Sequence, residues 1–79
     1  MTRDTDEIVR TVLHAVAPEA DLDDLGPDDT LRESLDLDSI DFLNFVVGLH
    51  EATGVEIPER DYGRVATLAG CARYLTRPR

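Results

Sequence analysis

The stretch from Leu35 to Gly54, LDLDSIDFLNFVVGLHEATG, constrains this chain more than any other. Asp38 is a strong helix N-cap, because its carboxylate can accept backbone N–H groups that the first helical turn leaves free. An apolar-periodic run follows at once, with Ile40, Phe42, Leu43, Phe45, Val46, Val47 and Leu49, and Gly54 supplies the stop. Ser39 therefore opens the helix. Its hydroxyl points outward there, and the helix dipole favours a phosphate attached to it.

At about 100° per residue, Phe42, Phe45, Val46, Leu49, Ala52 and Thr53 share one arc, which is the expected core face. Ile40 and Val47 fall on the far side with Asn44 and Glu51, and Leu43 lies between the two sets. Two explanations fit: a helix buried on most sides, or an apolar pair beside Ser39 on which a partner docks.

Upstream, a helix is expected to begin between Thr2 and Thr5, with Ile8, Val9, Val12, Leu13 and Val16 on its buried stripe. Pro18 ends it by forcing Ala17 out of helical geometry. The Asp-rich connection from Pro18 to Leu37 is broken at Gly26-Pro27, and Leu22, Leu25, Leu31 and Leu35 can pin it to the core. Thr30-Leu31-Arg32-Glu33 matches a capping box, so a short helical turn is expected there. A connection this long suits two helices that run in similar directions. After Gly54, Val55 and Ile57 should form a brief extended apolar pair. Glu59 to Tyr62 should make one helical turn, interrupted by Gly63. Thr67 caps a last helix with Leu68, Cys71, Ala72 and Leu75 buried, and Tyr74 at the border should show its hydroxyl to water.

The chain is 42% hydrophobic but only 5% aromatic, so a mostly aliphatic core is expected, in one domain. Its net charge of −9 is unevenly placed. Residues 21–41 hold nine acids against one base, Arg32, whereas residues 62–79 hold four arginines and no acid. Such an acidic side is repelled by nucleic-acid backbones and attracts partners with basic patches. No run of about 18 apolar residues is present, and the N-terminus lacks a signal-peptide core. A cytoplasmic location without membrane partners is the expectation. One cysteine, Cys71, excludes an internal disulfide and a cysteine-rich zinc site, and fits a small core residue. His14 and His50 lack metal-ligand spacing. His50 also lies too far along the helix to serve Ser39 as a hydrolase base, so neither a metal site nor a catalytic residue is expected.

The pattern L-x-L-D-S-I, then an amphipathic helix, G-V-E-I-P, an acidic turn and A-T-L-x-x-C-A-x-Y-L resembles the acyl carrier protein family. The Asp-Ser-Ile triplet alone recurs by chance. Combined with Ile57-Pro58 and Thr67-Leu68 at family-like spacing it is specific, and Ile8 to Val16 fits the family's first helix. The resemblance implies an all-α, four-helix bundle of acyl-carrier type over residues 1–79, its third helix short and a long loop between the first two. It also implies that Ser39 bears a 4′-phosphopantetheine arm derived from coenzyme A, with cargo held on the arm's thiol as a thioester. The implied partners are a phosphopantetheinyl transferase and acyl- or aminoacyl-loading ligase, synthase or transferase enzymes with basic docking patches. Ile40 and Val47 would centre the docking face of a monomeric carrier that is not itself an enzyme, with Asp38, Asp41 and Glu51 as its charged rim.

Three departures bear on the pathway. Many carriers have Gly three residues before the serine, where this chain has Asp36, which can still adopt a left-handed turn. Asn44 and His50 occupy positions five and eleven after Ser39, the first of which is often acidic in fatty-acid carriers. The Gly-Gly common in peptidyl carriers is replaced by Asp36-Leu37. The expectation is a dedicated free-standing carrier in fatty-acid, polyketide or related specialised biosynthesis, with small acyl or aminoacyl cargo open. The alternative is an unmodified acidic helical interaction module with the same fold.

Overall fold

The computed structural model describes residues 2–76, the side chains of residues 2–4 excepted. It is all-helical: α1 (Thr2–Val16), α2 (Leu31–Ser34), α3 (Ser39–Thr53) and α4 (Leu68–Thr76), with 3-10 segments at Leu22–Asp24 and Glu59–Val65. Among the described residues none is in a strand, and no helix is long and apolar enough to cross a membrane.

The core forms where the stripes of α1, α3 and α4 meet. Val9 and Leu13 from α1, Phe42, Phe45, Val46 and Leu49 from α3, and Leu68, Cys71 and Tyr74 from α4 are buried together. Gly48 lets α1 and α3 approach, because a Cβ there would lie 2.6 Å from Val12 Cγ1. The core arc of α3 is narrower than its wheel implies. Ala52 is exposed, at the edge of a hollow that it lines with Glu7, Ile8 and Thr11.

The long connection does not make α1 and α3 run in similar directions. Asp41 shares a hollow with Val16 and Ala17, Gly48 meets Val12, and Ala52 lies beside Glu7 and Ile8. Numbers rise along α3 as they fall along α1, so the two are antiparallel. The loop uses its length to go out and come back. Arg10 donates to the Leu22 carbonyl at 3.3 Å. Ala69 N–H then donates to the Pro27 carbonyl (2.9 Å) and Leu31 N–H to the Ala66 carbonyl (2.8 Å). Leu35 to Leu37 then return to the end of α1. Leu25 and Leu31 are buried along the way. The turn at Thr30 is helical as expected, but the Thr30 side chain makes no capping bond.

α3 ends at Gly54, whose φ of 75° is left-handed and whose N–H donates to the His50 carbonyl at 2.7 Å. Thr67 caps α4 as expected, its Oγ1 accepting from Gly70 N–H at 3.0 Å. The short third helix is a 3-10 helix that continues through Gly63 to the buried Val65.

Tyr74 departs from expectation. It is only 5% exposed, and its hydroxyl donates to Asp61 Oδ2 at 2.7 Å rather than to water. Asp61 belongs to the 3-10 segment and also pairs with Arg64, 3.6 Å away. Such a segment lacks a long apolar stripe, so this polar latch ties it to α4. Cys71 is a core residue as read: its thiol donates to the Val65 carbonyl at 3.4 Å, and burial pushes it up to about 12. The folded state holds that proton, so stability drains away as pH rises from the ordinary thiol range toward the folded value.

Two outcomes follow. Tyr74→Phe should cost about 1–2 kcal/mol by chemical denaturation, since it removes a hydrogen bond to a half-buried carboxylate. Cys71 should resist iodoacetamide at mildly alkaline pH in the native protein and react once denaturant is added.

Candidate functional site

The site is built at the head of α3. Asp36 adopts a left-handed φ of 55°, which turns the chain so that Leu37 N–H donates to the Arg32 carbonyl at 2.9 Å. Leu37 is buried and anchors the turn. Asp38 is then extended, and its carboxylate accepts the Asp41 N–H at 2.7 Å. The Asp41 carboxylate reaches back to the Asp38 N–H at 3.5 Å, closing a reciprocal capping box.

Ser39 is thereby held at the first helical position with its side chain exposed. Arg32 Nη2 donates to Ser39 Oγ at 3.4 Å, and the same guanidinium lies over the Phe42 ring, 6.0 Å from its centroid. In the sequence Arg32 stands out only as the one base among nine acids. Nothing in its spacing foretells the contact, because the Asp36–Leu37 turn is what brings α2 to α3.

The second stripe of α3 is a surface. Ile40 is 69% exposed, and Leu43 and Val47 are each 45% exposed. Leu43 therefore joins Ile40 and Val47 at spacings of three and four, the neighbour spacings of a helix. Burial of α3 on most sides is ruled out. Asp38 and Glu51 are exposed and Asp41 is half-buried, and none of the three forms an ion pair among the described residues. Val47 also borders a hollow of about 590 Å³ between α3 and the 3-10 segment, lined by Val46, Ile57, Tyr62 and Tyr74.

His50 is occupied elsewhere. Its Nδ1 lies 2.9 Å from the Val55 carbonyl, which requires that nitrogen to carry the proton. Eleven residues of helix separate it from Ser39, about 16 Å of rise, so the two make no serine–histidine pair. Among the described residues no cluster of His, Cys, Asp or Glu is arranged to hold a metal ion.

The family model for the phosphopantetheine attachment site matches residues 6–75. The chain belongs to the acyl carrier protein family. It is similar to the acyl carrier protein of Rubrobacter xylanophilus, 28% identical over 74 residues and covering 91% of each chain. The acyl carrier protein of Streptomyces coelicolor is 29% identical over 67 residues, 85% of this chain and 73% of that one. That of Lactobacillus johnsonii is 34% identical over 55 residues, 70% and 69% respectively. Members of the family are carriers rather than enzymes, hold 4′-phosphopantetheine covalently, and work with a phosphopantetheinyl transferase and biosynthetic enzymes.

The two ion pairs among the described residues, Arg10–Asp6 and Arg64–Asp61, use no acid from residues 21–41. The acids of this carrier protein therefore repel one another, and screening acts beyond about 10 Å at 0.1 M salt. The melting temperature should rise with NaCl, and further with MgCl₂ at equal ionic strength, because divalent cations bridge carboxylates. A flat melting curve against salt would contradict this account of the acidic segment.

Proposed function

We propose that Ser39 is the attachment residue, and that residues 1–79 act as one carrier domain. It holds an acyl or aminoacyl group as a thioester and presents it to enzymes of fatty-acid, polyketide or related specialised biosynthesis. The observation that carries the reading is the exposed Ser39 hydroxyl, held at the start of α3 behind the Asp38 cap. The residues present suit a phosphodiester: the first turn of a helix favours a phosphate, and the Arg32 guanidinium lies 3.4 Å from Oγ. On attachment, Ser39 Oγ forms a bond to phosphorus as the phosphorus–oxygen bond to the nucleotide part of coenzyme A breaks, and the hydroxyl proton passes to a base.

Docking is assigned to the outward face of α3. Ile40, Leu43 and Val47 form its apolar centre, and Asp38, Asp41 and Glu51 its rim. Ile40 and Val47 are separated by about 10.5 Å of helix, which makes one continuous patch. A transferase and a loading ligase, synthase or acyltransferase with Lys or Arg patches would fit this face. A monomer in the cytoplasm, without nucleic acid or membrane, is the matching state.

Incubation with coenzyme A and a broad-specificity phosphopantetheinyl transferase should add the mass of the arm to wild type and not to Ser39→Ala. Modification of a folded Ser39→Ala protein overturns the assignment. Ile40→Ala and Val47→Ala should slow attachment or loading with little change in melting temperature, since exposed truncations cost little and interface anchors typically cost more than 1 kcal/mol. Phe42→Ala and Leu49→Ala should instead lower stability by about 2–5 kcal/mol through a core cavity.

A further inference from the structure

We propose that Arg32 is a positioning residue for the arm: its guanidinium clamps the phosphodiester formed on Ser39 and fixes the direction in which the arm leaves the bundle. The inference rests on the assignment of Ser39. Arg32 is the one base in residues 21–41, yet among the described residues it pairs with no carboxylate. Glu33, Asp36 and Asp38 are all near it in sequence. Its Nη2 instead donates to Ser39 Oγ at 3.4 Å, the atom that acquires the phosphate. Arg32 is held at both its backbone and its side chain. Its guanidinium carbon lies over Phe42, 6.0 Å from the ring centroid, and its backbone carbonyl accepts the Leu37 N–H at 2.9 Å in the turn that leads to Ser39.

The electrostatics call for such a partner. A phosphodiester on Ser39 is a negative charge set among Asp36, Asp38 and Asp41, whose repulsion it would otherwise meet unopposed. Its non-bridging oxygens lie two bonds beyond Oγ, within range of a side chain that already spans to Oγ itself. A planar guanidinium can hold two of them at once, which a point charge cannot. Phe42 lies about 200° around the helix from Ile40. A phosphate drawn toward Arg32 therefore roots the arm on the Phe42 side of α3, clear of the Ile40–Leu43–Val47 stripe. The docking face stays open while cargo is presented.

The test uses full-length protein before and after attachment, with mass spectrometry confirming the added arm. In wild type, the Arg32 Nε–H resonance should shift on attachment, and the arm's ³¹P signal should relax with the tumbling of the whole protein. In Arg32→Gln the ³¹P signal should relax as a freely moving group. Arg32→Lys should recover part of the restraint, and the exposed Arg60→Gln should behave as wild type. A wild-type Arg32 resonance that does not move on attachment overturns the proposal, whether or not the variants fold. So does ³¹P relaxation that is the same in folded Arg32→Gln and wild type. Absence of the added mass defeats the Ser39 assignment, and this inference with it.

Discussion

The reciprocal bonds between Asp38 and Asp41 are the constraint on which the remaining structure depends. They satisfy backbone donors at the head of α3 that would otherwise have no partner. They also set the phase of the helix. Once Asp38 is the cap, Phe42, Phe45, Val46 and Leu49 must turn inward, while Ser39, Ile40, Leu43 and Val47 must turn out. A cap displaced by one residue toward the N-terminus would rotate every side chain by about 100°, moving Phe42, Val46 and Leu49 to the exposed places now held by Leu43, Val47 and His50. The site and the core are two consequences of one local arrangement.

The same helix therefore presents two faces with separate chemistry. Its inner arc meets α1 and α4 in a packed core, with Gly48 admitting Val12 at close range. Its outer stripe remains apolar and uncovered, bounded by carboxylates that form no ion pair among the described residues. Exposed aliphatic side chains at this density are costly to leave in water unless something covers them intermittently. The docking proposed above would use a face of this kind: apolar enough to bind, acidic enough to be steered, and small enough to let go.

Much of this was legible in the sequence where the physics is local. The caps at Asp38 and Thr67, the stop at Gly54, the left-handed Asp36 and the buried Cys71 each depend on a residue's own preferences and its near neighbours. What escaped was decided by contacts between distant segments. Tyr74 was expected to face water, because Asp61 is thirteen residues away in the chain. Loop length alone does not give the relative direction of α1 and α3, because it does not say whether the loop returns. Leu43 sat between two arcs until the neighbouring helices showed which side they covered. Arg32 carried one faint signal, a lone base among acids, that no periodicity could place beside Ser39.

The most direct measurement is tandem mass spectrometry of the protein purified from its native host. Every base in the chain is arginine, so trypsin should release Glu33 to Arg60 as one peptide containing both serines, Ser34 and Ser39. The account predicts that this peptide carries the phosphopantetheine arm and that its fragment ions assign the arm to Ser39. An unmodified peptide, or fragment ions that place the arm on Ser34, would contradict it.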